Sequence, residues 1–474
     1  MSTDPQPLLL GGEWIRTKEI REVRAPYDGS LLGRVCWAGP EQIQSAIDRA
    51  IRGFHEFRKT PIHVRREILL HCANLIGERL QSLTKLLACE AGKPVLFAEM
   101  EVRRMKLTFE LAAAELTRFG GERLPVDFDP RAERCECVTQ RFPMGVVVAI
   151  VPYNWPFNLA SHKIAPAIAV GNTLLIKPAT ATPLSTLELG RILMDAGTPP
   201  HVVSILPCKA ELAQQWVQDD RVAMLSFTGS PAVGWFLKSV AGKKRVSLEL
   251  GGNAAVVVHS DADLDWAIQR IVLGGFGYAG QICISVQRVF VHQEIYEKFK
   301  DRLAKATAEC PYGDPMDPKI VCGPLIDQAN AERIESWILE AVQNGARILV
   351  GGKRKGNLIS PTLLDQVKPS MKVCREEIFG PVVTIESYQD WSEALQKVND
   401  SPYGLQAGVF TRDVDRIYQA FCELEVGGVI ANDFPTMRVD NFPYGGVKNS
   451  GFGREGVRYT MEEMTEPRVL FTRH

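Results

Sequence analysis

An α/β protein, with a doubly wound parallel sheet followed by a second α/β unit, is what this sequence predicts on three observations. Strand-like apolar runs alternate with helical stretches between residues 141 and 250, the pattern of crossover connections. A second alternation of the same kind extends to about Ile430, without the fixed-period self-similarity of a repeat. The 474 residues exceed an ordinary single domain, and no Gly/Ser- or Pro-rich linker divides the two series. The units should therefore share an interface, where small-molecule sites tend to lie.

The elements follow in order. From Pro40 to about Arg118, apolar residues recur at spacings of three and four through IQSAIDRAI, REILLHCANLI and LTKLLACEA, which predicts helices. After Phe119 the segment ERCECVTQRFPMGVVVAIVP reads as extended and ends in a buried run, Val146 to Val151. Then come a helix near SHKIAPAIAV, a strand NTLLIKP, a helix STLELGRILMDAG, a strand VVSIL, a helix AELAQQWVQ and a strand VAMLSF. The second unit reads DLDWAIQRI helix, SVQRVFVH strand, YEKFKDRLAKA and AERIESWILEAVQNG helices, and ARILVGG strand.

Composition removes several classes. With 55 basic and 56 acidic residues there is no global field for nucleic acid or an anionic membrane. The N-terminal MSTDPQPLLL has an acid where a secretory signal carries positive charge, and the longest apolar stretches, such as Met144 to Val151, fall far short of a membrane span of about 20 residues. A soluble, cytoplasmic protein is expected. Eleven cysteines without C-x-x-C pairs suit a reducing compartment. Eight histidines without H-E-x-x-H give no metal site.

Several motifs carry chemistry. GFGYAG, Gly275 to Gly280, has the G-x-G-x-x-G spacing of a dinucleotide loop, but it lies in the order helix, Gly loop, strand, the reverse of that fingerprint. GFGREG near the C-terminus repeats the spacing with no strand before it. FTGSPAVG has the right order, a strand before and a helix start at Pro231 after, where free amides suit a phosphate, although an ordinary turn would look the same. The acids of DADLD lack the Gly and Glu of a calcium loop and read as a helix start. Cys283, directly after the glycines, is either a nucleophile given room by them or a small buried residue. Glu249 in SLELGG is either a general base with a pKa raised by desolvation or an ion-paired or ribose-binding carboxylate. Asn154 in VPYNWPFN follows a buried strand; its amide can serve a developing oxyanion or merely stabilise a turn.

Taken together, PYNWPFN, IKPAT, FTGSPAVG, LELGG, GQICIS, EEIFGPV and PYGGVKNSGFGREG resemble, in content and order, the aldehyde dehydrogenase superfamily over nearly the whole chain. The resemblance implies an aldehyde dehydrogenase-like fold: a Rossmann-like cofactor domain (1–119 and 140–250), an α/β catalytic domain (251–443) and a β oligomerisation arm (120–139 and 459–474), in a homodimer or homotetramer. It implies NAD(P)-dependent oxidation of an aldehyde to the free acid, with Cys283 as nucleophile, Asn154 in the oxyanion hole and Glu249 activating the water that hydrolyses a thioester. Cofactor contacts carry over to Val151, Pro152, Tyr153, Lys177, Ala179, Thr180, Phe227, Thr228, Gly229, Ser230, Leu250, Gly251, Glu377 and Phe379. Thr180 in KPAT stands where many NAD-preferring members have Glu, which favours acceptance of NADP, and PCKAE replaces a Gly-rich segment. For the substrate, Arg104, Tyr153, Ile282, Ile284 and Arg438 match positions in the branch acting on lactaldehyde, succinic semialdehyde or glyceraldehyde 3-phosphate, with a structural ion-pair role as the alternative for either arginine. Ile282 replaces the Arg of several phosphate-binding relatives. A phosphorylated or phosphonate substrate, a catalytically silent binding member of the fold, and a cysteine hydrolase of esters remain alternatives.

Overall fold

The computed structural model describes residues 4–474. After four short strands between Leu8 and Trp37, four helices follow, Pro40–Phe57, Ile62–Glu78, Leu80–Ala91 and Val95–Glu115, as the spacing predicts. The first buries Ile43, Ala46, Ile47, Ala50 and Phe57, its apolar face.

The larger sheet has eight strands in the order Glu13–Ile15, Leu8–Leu10, Val203–Ile205, Thr173–Lys177, Val146–Ile150, Val222–Thr228, Arg245–Glu249 and Gly451–Phe452. The middle five are parallel. Their near-continuous apolar sequences, such as VVVAI, are what a strand covered on both faces requires. The chain lays down Val146–Ile150 first and steps outward on one side, then returns to the other side for Val222–Thr228. Where the order reverses, the carboxyl ends of the strands open a crevice. Register places Ile150 opposite Lys177 and Phe227, and Thr228 opposite Glu249, so these residues share one rim. The helix Asn158–Val170, buried along all 13 residues, packs beneath the crevice and ends at Gly171, whose φ of 91° is left-handed.

From Glu249 the chain passes through Leu250–Ala254 into the second sheet. Its seven strands run in the order Arg347–Val350, Thr362–Asp365, Val382–Tyr388, Arg288–His292, Ala255–Val258, Gln406–Phe410 and Gly428–Ala431, all parallel except the first. The carboxyl end of one sheet thus meets the amino end of the other, and Cys283 lies just before a strand of the second, Arg288–His292.

Arg123–Leu124, Cys135–Pro143 and Thr465–Arg473 form a separate antiparallel sheet. Compared with the ranges read from the sequence, the middle strand continues past residue 139, and Val457–Glu463 is a helix packed on Asn158–Val170. The tail becomes arm only from Thr465. GFGYAG also differs from the expected loop: Gly275 and Phe276 complete the helix Leu264–Phe276, and only Gly277–Gly280 forms a turn. No helix among the described residues is long and apolar enough to cross a membrane.

Candidate active site

Glu249 ends its strand at the meeting line of the two sheets. Both carboxyl oxygens are buried and have no hydrogen-bond partner among the described residues. Burial, reinforced by the charge of Glu455, raises its pKa well above the carboxylate range. Gly445, at φ 157°, lies against it: a Cβ there would come within 2.8 Å of Glu249 Oε1.

Cys283 approaches from the second sheet along a strained path. Tyr278 and Ala279, at φ 52° and 54°, are left-handed although neither is glycine, a conformation costing about 1–3 kcal/mol each. Gly280 continues in the same region, and a Cβ there would collide with the Gly380 carbonyl oxygen, so no side chain fits. The thiol that emerges lies 2.9 Å from the Tyr444 hydroxyl. Burial pushes its pKa up to about 12, while the Tyr444 hydrogen bond and the charge of Arg438 act in the opposite direction.

Asn154 stands beside it, donating from Nδ2 to the Gln281 carbonyl at 2.9 Å. One N–H of this amide therefore fixes it to the cysteine loop, and the other remains for a ligand oxygen. Behind both loops lies a buried ion pair, Lys93 with Glu101. The Lys93 ammonium sits 3.8 Å from the ring centre of Trp155 and 4.5 Å from that of Tyr278. Glu101 accepts from the Phe157 and Asn158 amides at 2.9 and 3.1 Å. A single clamp thus holds the Asn154 loop and the turn before Cys283.

A cavity of about 270 Å³ leads to the thiol. Phe97, Met100, Trp155, Leu159 and Phe434 make it mostly apolar, and the expected Ile282 and Ile284 both line it. Tyr153 does not; it packs edge-on against Phe379 with ring centres 6.0 Å apart, and Trp155 takes the cavity wall instead. Arg104 reaches the wall and is also the ion-pair partner that the sequence reading allowed: it forks onto Asp440, Nε to Oδ2 at 3.1 Å and NH2 to Oδ1 at 2.6 Å. Arg438, 6 % exposed, is likewise paired, with Glu455 at 3.2 Å, and stacks on Tyr444 at 3.7 Å.

On the other side of Cys283 the crevice rim offers Lys177, Thr228 and the turn into the helix Pro231–Val240. The Thr228 hydroxyl is buried without a partner, and no side chain caps that helix start. Phe227 folds its ring over Gly229, where a Cβ would meet it at 2.6 Å. Such a tight, uncapped turn fits a phosphate. Val151 is buried and Pro152 half-buried, while Ala179 is half-buried and Thr180 and Ser230 are exposed along the same rim. Lys177 donates to the Pro178 carbonyl at 3.1 Å; burial lowers its pKa, opposed by the charges of Cys208 and Glu211, which places the PCKAE segment beside it. Glu377 closes the rim: it accepts from Gly252 N at 3.0 Å, its other oxygen presses on Gly251, and burial raises its pKa to about 7. Phe379 follows at φ 50°, in a loop held by Gln287, which donates to the Val373 and Glu376 carbonyls and accepts from Ile378 N.

Sequence reading missed Tyr444, Lys163, Glu455 and Asp440. Lys163 was legible as a lone cation in an apolar helix, and Glu455 as an acid between glycines, the same signal that singled out Glu249. Asp440 and Tyr444 lie in an irregular loop that no periodicity marks.

The model of the family described as "Aldehyde dehydrogenase family" matches residues 14–470. A 3-sulfolactaldehyde dehydrogenase of Priestia aryabhattai is 42% identical over 464 residues, 98% of this chain and 97% of its own. The structure of aldehyde dehydrogenase 21 from Physcomitrella patens, in complex with the reaction product succinate, superposes with a TM-score of 0.98 at 40% identity, covering 100% of this chain and 99% of its own. A glyceraldehyde-3-phosphate dehydrogenase from Methanocaldococcus jannaschii complexed with NADP gives a TM-score of 0.93 at 37% identity, covering 97% and 100%.

If the Tyr444 hydroxyl favours the Cys283 thiolate, Tyr444→Phe should slow alkylation of Cys283 by iodoacetamide roughly fivefold at pH 8, the effect of losing a hydrogen bond of about 1 kcal/mol. Mass spectrometry of the labelled peptide over time reads the rate, and an unchanged rate removes Tyr444 from the account.

Proposed function

The chain belongs to the aldehyde dehydrogenase family, and on that premise we propose that it oxidises a small anionic aldehyde to the free carboxylic acid with NAD(P), through a thiohemiacetal and then a thioester on Cys283. The observation that carries this reading is the meeting of the Cys283 thiol and the unpartnered Glu249 carboxyl at the junction of the two sheets.

The Cys283 thiolate adds to the aldehyde carbon, and the oxygen takes up negative charge. The second Asn154 N–H and the Cys283 backbone amide receive that charge; losing one such donor typically costs about 10² to 10³ in rate. NAD(P), when held by Lys177, the Thr228–Ser230 turn and Glu377, supplies the acceptor for the hydride whose departure leaves the thioester. Glu249, once ionised, takes a proton from water, which attacks the thioester and frees the acid and the thiol. The exposed Thr180 puts no carboxylate on the loop after Lys177, which favours acceptance of NADP's 2′-phosphate, with Glu211 as the opposing charge.

The anionic substrate rests on Arg104 and Arg438 in the cavity wall, and it agrees with the sulfonated aldehyde named for the Priestia relative and the succinate held by the Physcomitrella one. The phosphorylated alternative has the Methanocaldococcus relative in its favour and the apolar Ile282 beside the thiol against it. Outside the site, the arm strand exposes Val469, Leu470 and Phe471, an apolar edge suited to a second copy of the chain in a dimer or tetramer. A cytoplasmic location fits the same reading.

An aldehyde panel of neutral, carboxylated, sulfonated and phosphorylated compounds, followed at 340 nm with NAD and with NADP, should give reduced cofactor with at least one anionic member, and Cys283→Ala should abolish it. No reduced cofactor across the panel would overturn the dehydrogenase reading.

Because Glu249 works as a base only when ionised, and its pKa is raised, hydrolysis of the thioester should fall as pH drops through a value above the ordinary carboxylate range. A kcat profile limited by hydrolysis reads this limb directly; a midpoint at 4.5 or below contradicts the burial of Glu249.

A further inference from the structure

We infer that Asp440 sets the charge this cavity accepts: by engaging Arg104 it makes the pocket a receptor for a single negative charge, a carboxylate or sulfonate, and excludes a dianionic phosphate. This rests on the anionic-aldehyde reading above and selects within it.

Three arginines line the cavity, Arg104, Arg270 and Arg438, and each already has a carboxylate. Arg270 holds Asp433 as Arg104 holds Asp440, through Nε at 2.6 Å and NH2 at 3.2 Å. In both forks Nε–H and one N–H of NH2 are consumed, so two of the five donors of each guanidinium are already spent on protein. Arg438 spends NH2 on Glu455, which is shared with Lys163 at 2.7 Å. Its buried Nε has no partner among the described residues.

Asp440 is itself firmly ionised. Although burial opposes its charge, His162 and Arg104 hold its carboxyl well below the usual range. Oδ1 lies 2.8 Å from His162 Nε2 and accepts from Asn158 Nδ2 at 3.3 Å, so the carboxylate cannot swing away from Arg104. Burial and Arg438 lower the pKa of His162, and burial raises that of Glu249, so both shifts favour the neutral form. Lys163 and Arg438 share the single carboxylate of Glu455, which leaves that cluster with a surplus of one cation.

A monoanion balances that surplus. A phosphate dianion brings a second charge into a wall built of Phe97, Met100, Trp155, Leu159 and Ile282, with no counter-charge left to meet it. Asp440 touches no reacting atom; it acts through Arg104 as a positioning residue.

The test compares kcat/KM for a phosphorylated aldehyde with that for a sulfonated aldehyde of the same chain length. The sulfonate keeps one charge at all pH values, so the ratio cancels the enzyme's own ionisations, whereas a phosphate monoester gains a proton near pH 6. In the unaltered enzyme the phosphorylated-to-sulfonated ratio should be below one at pH 7.5 and rise roughly tenfold by pH 5.5. Asp440→Asn should raise the ratio at pH 7.5 roughly tenfold, and Asp440→Glu should restore the low value. A ratio that is flat with pH, or unmoved in a folded Asp440→Asn, overturns the inference while leaving the anionic reading intact. If Asp440→Asn does not fold, the pH series alone decides. Equal turnover of propanal and the sulfonated aldehyde overturns the anionic reading, and this inference with it.

Discussion

Everything in the site depends on the absence of two side chains, at Gly251 and Gly252. A Cβ on Gly251 would strike the Glu377 carboxylate, and one on Gly252 would come within 2.8 Å of the Cys283 carbonyl. Because nothing stands there, the passage that leaves the first sheet at Glu249 runs directly between the Glu377 carboxylate and the Cys283 backbone. Glu249, Glu377 and Cys283 are thus fixed relative to one segment of backbone. Any residue larger than glycine would push the Glu377 carboxylate and the Cys283 backbone away from this segment.

Fixing comes at a cost in local stability, met by the surrounding structure. The left-handed Tyr278 and Ala279 are held because Tyr278 is buried against the Lys93 ammonium and its hydroxyl donates to the Ala91 carbonyl at 3.2 Å. Lys93 is retained in the interior because Glu101 pairs with it, and Glu101 because two helix-start amides donate to it. Charge is treated the same way throughout the site: Lys163, Arg438 and Arg104 are all paired, and the conspicuous exception is the carboxyl of Glu249. Burial without a partner is what raises its pKa well above the ordinary carboxylate range.

The strands and helices around the crevice were legible because periodicity and burial coincide there: VVVAI, TLLIK and VAMLSFT can be little else than covered parallel strands. Glu249 and Cys283 stood out as polar groups among apolar residues and glycines. For Arg104 the sequence left an ion-pair role open beside a substrate role, but not its partner: Asp440 lies far away in sequence, and no local pattern reports a long-range ion pair. The same holds for Tyr444 and for the Trp155 wall that replaces Tyr153. GFGYAG matched a phosphate loop by spacing; its left-handed φ angles and the Gly380 contact belong to the turn that leads the chain into Cys283.

The central claim divides labour between two residues: Cys283 carries the aldehyde through oxidation, and Glu249 is needed only to release the acid. Rapid-mixing absorbance at 340 nm with Glu249→Gln separates these steps. The account predicts a burst of reduced cofactor of about one equivalent per Cys283, followed by little or no turnover, because the thioester forms and water is not activated. No burst, with oxidation itself abolished, would place Glu249 before hydride transfer and contradict it.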